Sequence, residues 1–416
     1  MTLALTEAER ETARRDDATG LALRVVAEAA RLLGAERLLP IASAHIDGCL
    51  YHGDSGVAFA EHLVAGGGRV AVPSTLNVGA LDLLHPDRVQ TAPARRSMAR
   101  RLMAAYTALG CRPTWTCAPY QAGHRPAAGE DVAWGESNAV VFCNSVLGAR
   151  TNRCGDFLDI CCALVGRAPD CGLHRPENRR ATVLVETGGL SAALRDSEVF
   201  YPVLGAWLGA AAGGAVPVID GLPKGLSEDR LKALGAAAAS TGAVGLFHVA
   251  GVTPEAPSAE AALGGRAPER RIALTPEALR RARDRLSTSV AETVDAIALG
   301  SPHFSYEEFG RLEAALRGRK IRLPFYVCSG RHAVERLEAE GRLRPLEAAG
   351  VTLVTDTCVV VTPILPRDGG VLMTNSGKFA HYAPGTIGYG VVYGSLEDCV
   401  ATAASGRVRR DEALWR

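Results

Sequence analysis

Short apolar runs alternate with longer amphipathic stretches along most of the chain, and polar residues collect where the apolar runs end. Runs of four to eight residues rich in Val, Ile and Thr read as strands, and apolar positions recurring every three or four residues read as helices. Residues 2–37 form two polar-faced helices on this reading, and Pro40–Ile46 forms a strand that empties into Asp47-Gly48-Cys49-Leu50-Tyr51-His52-Gly53-Asp54. A helix over 55–66 precedes a strand Arg69–Pro73 with the polar exit Ser74-Thr75-Leu76-Asn77. Helix 93–109, strands 113–117 and 138–143, helix 156–166, strand 181–186, a helix near 198–211 and strand 216–220 continue the series. Strand 243–248, helix 276–287, strand 295–299, helix 306–317, strand 322–328, helix 331–348 and strand 351–354 follow. Strand 390–393 and helix 395–404 close the chain. The stretch 252–272, rich in Pro, Ala, Gly and Glu, reads as a surface loop or lobe junction. No fixed-period repeat is visible.

This alternation predicts an α/β fold of parallel sheets with helices on both faces. In such sheets ligands gather at the carboxyl ends of the strands, which is where the polar residues stand. With 416 residues, 47% of them hydrophobic, the chain is long enough for two or three lobes. A net charge of +1 gives no electrostatic reason to expect nucleic acid or a membrane surface. No apolar run reaches the about 18 residues of a membrane helix, and the start, Met1-Thr2-Leu3-Ala4-Leu5-Thr6-Glu7, is too short and polar for a secretory signal. The eleven cysteines are an odd number, several in apolar surroundings such as Cys161-Cys162, so reduced thiols in the cytoplasm are expected.

The candidate chemistry follows the strand ends. Val351–Val354 leads into Thr355-Asp356-Thr357-Cys358, and Thr114-Trp115-Thr116-Cys117-Ala118-Pro119-Tyr120 has a similar shape. Cys117 and Cys358 are either core thiols or two soft ligands of one iron–sulfur site, and the spacing alone does not decide between them. Asn144-Ser145-Val146-Leu147-Gly148-Ala149-Arg150-Thr151-Asn152-Arg153 is the richest polar run: a structural turn with surface arginines, or a grip on a small carboxylate. Lys378, in Ser376-Gly377-Lys378, is a surface cation or an anion's partner, since the spacing of a phosphate-cradling P-loop is absent. His45, His52, His248 and His303 sit at strand ends, where a hydrogen-bonded structural role competes with a catalytic one. Helix 93–109 carries Arg95, Arg96, Arg100 and Arg101, read as a solvated face. The chain has no His-Glu-x-x-His, no Cys-x-x-Cys and no Gly-x-Ser-x-Gly, which argues against a standard zinc site and a serine-hydrolase elbow.

Together these stretches resemble the aconitase X family, a divergent branch of the aconitase superfamily. The resemblance runs through His45–Gly53, Pro73–Asn77, Thr116–Tyr120, Gly135-Glu136-Ser137-Asn138-Ala139 and Asn144–Asn152. It continues through Gly221-Leu222-Pro223-Lys224, Leu299-Gly300-Ser301-Pro302-His303, Thr355–Cys358 and Asn375–Tyr382, covering roughly residues 40–405 in family order. It implies multi-lobed, aconitase-like parallel sheets, with residues 1–416 forming the large catalytic part and a small swivelling domain supplied by a separate subunit, as a heterodimer. It also implies an iron–sulfur dehydratase acting on cis-3-hydroxy-L-proline or, in archaeal members, on mevalonate 5-phosphate. Archaeal members resembling this chain have a third cysteine where Ser301 stands, and the hydroxyproline branch tolerates serine there. Ser301 therefore favours hydroxyproline and leaves a two-iron cluster, a mononuclear iron, or recruitment of Cys49, Cys143 or Cys328 as the open options.

The expected reaction removes water from a 3-hydroxy amino acid: iron acts on the C3 hydroxyl and a base takes the C2 proton, giving an enamine that becomes Δ1-pyrroline-2-carboxylate. The residues expected to serve it are Asn144, Ser145, Arg150, Asn152, His303 and Lys378, with Ser74, Thr75 and Asn77 holding the carboxylate or ring nitrogen. By analogy with the wider superfamily, the base sits on the small subunit. Two rivals stand beside this reading: a phosphorylated hydroxy acid held by Lys224 and Lys378, and a cluster-less binding or regulatory homologue.

Overall fold

The computed structural model describes residues 3–365 and 369–415. The chain divides into two compact units, one built from Met1–Leu81 with Thr91–Arg180, the other from Asp82–Gln90 with Ala181–Arg416.

The first unit contains β1 (Leu38–Pro40), β2 (Ala44–Ile46), β3 (Ser74–Leu76), β4 (Ala133–Trp134) and β5 (Arg167–Pro169). Three of them make a parallel sheet in the order β3-β2-β4, while β1 and β5 pair antiparallel. Helix Ala18–Leu32 begins at Asp17, whose carboxylate accepts the Gly20 N–H, and buries Ala22, Leu23, Val26, Ala27 and Ala30. That spacing puts one apolar stripe on the unit's core.

Several expected elements of this unit differ. The strand expected at 69–73 starts later, so the supposed polar exit Ser74–Leu76 is itself the strand that pairs with β2. Residues 113–117 form no strand; Pro113 has no N–H to give a ladder, and Trp115 takes a φ of 44°. The run 138–143 is a helix, Ser137–Phe142, with the Glu136 carboxylate accepting the Ala139 N–H at 2.7 Å. It is buried all round, and a short apolar run of that kind carries no period by which helix and strand can be told apart.

The second unit contains two parallel sheets. One has β6 (Val183–Glu186), β7 (Pro217–Asp220), β8 (His248–Val249) and β9 (Arg270–Ala273), in the order β8-β7-β6-β9. The other has β10 (Ala296–Phe304), β11 (Phe325–Ser329), β12 (Val351–Thr355), β13 (Gly370–Thr374) and β14 (Tyr389–Tyr393), in the order β12-β11-β10-β13-β14. Its core includes Ile297, Leu299, Phe309, Leu312, Val327, Leu337, Leu353 and Val400. The α/β class expected from the alternation is the one observed.

Within this unit the expected strand 243–248 shrinks to β8, and the expected helix 331–348 is two helices, Arg331–Ala339 and Leu343–Ala349, parted at Gly341. The stretch 252–272 lies inside the second unit and carries the helix Ala259–Ala262 and the start of β9. Helix Glu228–Thr241 and strand β13 were not foreseen. No helix among the described residues is long and apolar enough to cross a membrane.

Helices Phe200–Ala212 and Glu228–Thr241 approach closely because glycines face the contact. A Cβ on Gly205 would stand 2.2 Å from the Leu234 carbonyl oxygen, and one on Gly209 would stand 2.2 Å from Thr241 Oγ1. Gly205→Val should therefore force the helices apart and lower stability by about 1–3 kcal/mol, the usual cost of overpacking. Urea unfolding of the purified chain measures it; an unchanged midpoint would contradict the contact.

Candidate functional site

In the second unit the candidate residues meet at the carboxyl edge of the five-stranded sheet. Strand β10 runs in register with β11 as far as Leu299↔Val327, then slips before Phe304↔Ser329. The slip begins at Gly300, whose φ is +89° and whose absent Cβ would lie 2.0 Å from the Cys328 carbonyl oxygen. Only glycine fits there, so the chain turns out of the ladder and delivers Ser301 and His303 at the edge. Ser376 ties this turn to the loop after β13 by donating its hydroxyl to the Ser301 carbonyl. His303 ties it to the loop after β12, with Nε2 3.1 Å from the Thr357 carbonyl oxygen. A carbonyl can only accept, so Nε2 carries the proton. Burial pushes His303 down to about 3 against its ordinary 6.5, which keeps the ring neutral.

The Thr355–Cys358 turn is gripped by charge. Asp356 has a φ of 62° and binds Arg331 through two hydrogen bonds of 2.5 and 2.7 Å. The fully buried Asp82 carboxylate accepts the Thr355 N–H at 3.3 Å and its hydroxyl at 3.0 Å. Cys358 follows, 6% exposed. Cys328 is fully buried inside β11.

A cleft opens beside this edge, lined by Ser301, Ser376, Lys378, Lys232, Glu308 and Arg311 among others. Lys378 lies in the first turn of helix Gly377–Thr386, where the Ser376 hydroxyl caps the Phe379 N–H at 3.0 Å. The buried wall is ionic: Lys232 meets Glu308, and it lies 3.1 Å from Asp229, which also takes a 2.9 Å bond from Arg311. Burial works against the Lys232 charge, but Asp229 and Glu308 outweigh it and hold its pKa above the usual range. Lys224 is exposed and is not among the residues of this cleft.

The first unit holds the other candidates. Thr75 Oγ1 lies 2.8 Å from His45 Nδ1 and 2.6 Å from His124 Nδ1. Ser74 donates its hydroxyl to the Val72 carbonyl at 2.9 Å, and Asn77 donates its amide to Asp47 while its own Oδ1 is buried without a partner. The Cys117 carbonyl accepts the Asn138 amide at 3.0 Å, and the residue is 6% exposed.

The polar run after Phe142 meets a different arrangement from the substrate grip expected of it. Asn144 closes the turn through its amide, accepting the Thr151 N–H at 3.0 Å and donating to the Thr151 carbonyl at 2.9 Å. Arg179, unforeseen, clamps the same turn with hydrogen bonds to Asn144, Ala149 and Leu173. Asn152 donates to the Cys171 carbonyl at 2.9 Å and accepts the Leu173 N–H at 2.8 Å. Both asparagines thus serve the scaffold, because a tight turn after a helix leaves backbone groups that need partners. Ser145 is buried in the same turn. Arg150 is half-buried, and its Nε has no partner; of the residues in this run it retains the clearest capacity to bind an anion. His124, in a loop, and Arg179, at the end of the short 3-10 helix Pro176–Arg179, carry no spacing signal.

The donor chemistry suits an iron–sulfur group in kind, since Cys117 and Cys358 are soft donors that are nearly but not wholly buried. Among the described residues no three His, Cys, Asp or Glu side chains are grouped as a metal's ligands. Two of the reserve thiols are poorly suited: Cys49 donates to the Asn77 carbonyl at 3.3 Å, and burial pushes both it and Cys143 toward the protonated form.

Comparison with known proteins identifies the family. The models of the aconitase X first, second and third domains match residues 2–177, 181–284 and 294–405. Cis-3-hydroxy-L-proline dehydratases from Pseudomonas aeruginosa and Hypocrea jecorina are 45% and 42% identical over 96% and 92% of this chain. The chain spans 69% and 65% of the length of those two relatives. The phosphomevalonate dehydratase large subunit of Methanothermobacter thermautotrophicus is 40% identical over 87% of this chain and 88% of its own. The crystal structure of Thermococcus kodakaraensis aconitase X in its holo-form superposes with a TM-score of 0.86 at 31% identity, over 96% of this chain and all of that one. The fold and the strand-end site define an aconitase-like α/β protein. This chain belongs to the aconitase X family.

A neutral buried His303 has a consequence for acid stability. Its folded-state pKa of about 3 lies below the unfolded 6.5, so the unfolded chain binds more protons between those values. Stability therefore falls as pH drops through that window. Between pH 7 and pH 5 the urea midpoint should drop less in His303→Gln than in the unmodified chain; equal drops would show that His303 is not held neutral.

Proposed function

We propose that this chain is the large, cluster-holding part of a hydro-lyase that removes water from cis-3-hydroxy-L-proline to give Δ1-pyrroline-2-carboxylate. The observation that carries this reading is the identity of 45% and 42% with the two relatives named for that activity, against 40% and less with the phosphomevalonate dehydratase large subunits. Ser301, in the stretch of β10 where the register slips, supports the same branch. Cys117 and Cys358 would each offer a thiolate to an iron–sulfur group, a two-iron cluster on this reading, which when bound would supply a Lewis acid for the C3 hydroxyl.

The chain's own residues bind and orient. Arg150 has a donor to spare for a carboxylate. Pairing spreads the charge of that carboxylate and makes the neighbouring C2 proton easier to remove. Lys378 and Ser301 face the cleft of the second unit, and His303 fixes the Thr357 carbonyl one residue before Cys358. The base comes from a small swivelling subunit, a partner supported by the words "large subunit" in the names of the archaeal relatives. Those same relatives support a second reading, a phosphorylated hydroxy acid held by Lys378. Lys224, which does not border the cleft, is not needed for it.

Anaerobic purification should yield a brown protein containing iron and sulfide, and Cys117→Ser and Cys358→Ser should each lose most of both. With the small subunit present, cis-3-hydroxy-L-proline should be turned into the pyrroline, and Arg150→Ala should lower kcat/KM by about 10- to 100-fold, the worth of one charge-assisted hydrogen bond. Turnover of mevalonate 5-phosphate in place of hydroxyproline would favour the second reading. A colourless, iron-free protein would reject both.

A further inference from the structure

Strands β3, β2 and β4 set Thr75, His45 and Trp134 side by side, because His45 is in register with both of the others. Register neighbours in a sheet show their side chains on one face. His124 lies against the same group, its ring centroid 5.1 Å from that of Trp134, with His45 at 5.6 Å. The Thr75 hydroxyl stands between the two Nδ1 atoms, at 2.8 and 2.6 Å. His45 Nε2, His124 Nε2 and Trp134 Nε1 are all shielded from solvent and have no hydrogen-bond partner. His45 and Trp134 are fully buried.

Both rings are neutral. Burial pushes His124 down to about 4, aided by the nearby Arg112, and burial followed by His124 itself pushes His45 well below its ordinary value. A neutral imidazole has one N–H and a hydroxyl has one proton. The hydroxyl can therefore accept from one Nδ1 and donate to the other.

We propose that His45, Thr75 and His124 form a neutral proton relay whose two outer nitrogens are held in opposite states. The ring that donates Nδ1–H to Thr75 has a bare Nε2, and the ring that accepts from Thr75 carries Nε2–H. A proton arriving at the bare Nε2 makes that ring a cation. Its Nδ1 proton then passes to Oγ1, the hydroxyl proton passes to the other Nδ1, and the Nε2 proton of that second ring passes to the hydroxide departing from the substrate. One N–H or O–H bond forms for each that breaks, and the net charge ends as it began. In dehydration the base on the small subunit takes the C2 proton, so the relay takes its own proton from hydronium and supplies only the one that joins the departing hydroxide. That last link rests on the hydro-lyase reading, whereas the opposite states of the rings do not.

The test is the imidazole nitrogen spectrum of the full chain labelled with ¹⁵N-histidine, with His45→Asn and His124→Asn assigning the two rings. The expected result is one Nδ1–H and one Nε2–H tautomer, unchanged between pH 6 and pH 8. Thr75→Ser should keep that pattern. Thr75→Val should abolish it and, in the assay with the small subunit, lower kcat by about 100-fold with KM nearly constant, the scale of a lost acid–base step. Two rings in the same tautomer, a ring that titrates in this window, or full kcat in a folded Thr75→Val would each overturn the relay. Should Thr75→Val not fold, the spectra of the unmodified chain and Thr75→Ser decide. Opposite tautomers in a protein that dehydrates no hydroxy acid would support the relay and remove only the substrate assignment.

Discussion

The carbonyl of Cys328 leaves no room for a side chain at position 300, and the second unit's site follows from that restriction. A residue with a Cβ would have to push β11 aside, and with it the sheet's middle. Glycine lets β10 abandon its ladder one residue after Leu299. The freed backbone then needs partners, and it finds them in its neighbours: Ser376 on the Ser301 carbonyl, and Ser329 on the Phe304 carbonyl at 2.7 Å. Backbone accounting of this kind ties the loops after β10, β12 and β13 into one rigid rim.

Charge fixes the rim from below. Lys232, Asp229, Glu308 and Arg311 sit mostly out of water as a near-balanced quartet. Glu308 belongs to two structures at once, since its carboxylate also accepts the Ser305 N–H at 2.8 Å to cap the helix after β10. Such a group adds little over a well-packed apolar core while intact, but removal of one member strands the others at a cost of about 3–5 kcal/mol. The quartet therefore favours one arrangement of the cleft wall more than it adds to overall stability.

The strand-to-loop rhythm was readable because polar residues cluster after apolar runs, and it led to the α/β parallel sheets that are observed. It failed where periodicity is silent. Ser137–Phe142 is a short helix buried on every side, and helix Glu228–Thr241 is so rich in alanine that it shows no clear apolar face. The asparagines of the 144–152 turn looked like substrate contacts because their chemistry suits either task; only the positions of Thr151, Cys171 and Leu173 show them holding the backbone. The place of Thr75 between two imidazoles was not legible, since the chain gives no sign that His124 folds back onto β3.

The segment Asp82–Gln90 is borrowed by the second unit from within the span of the first. Asp82 receives the Thr355 hydroxyl and N–H, Arg88 donates to the Leu353 carbonyl, and Gln90 donates its N–H to Pro363 at 2.7 Å. The two units are thus not consecutive beads on a string. No single cut in the polypeptide separates them cleanly: severed after Arg180, the amino-terminal piece takes Asp82, Arg88 and Gln90 with it, and the turn before Cys358 keeps Arg331 and His303 but loses the Asp82 carboxylate. Exchanging either unit alone would need breakpoints at three places, after Leu81, Gln90 and Arg180, so a single crossover always carries part of one unit away with the other.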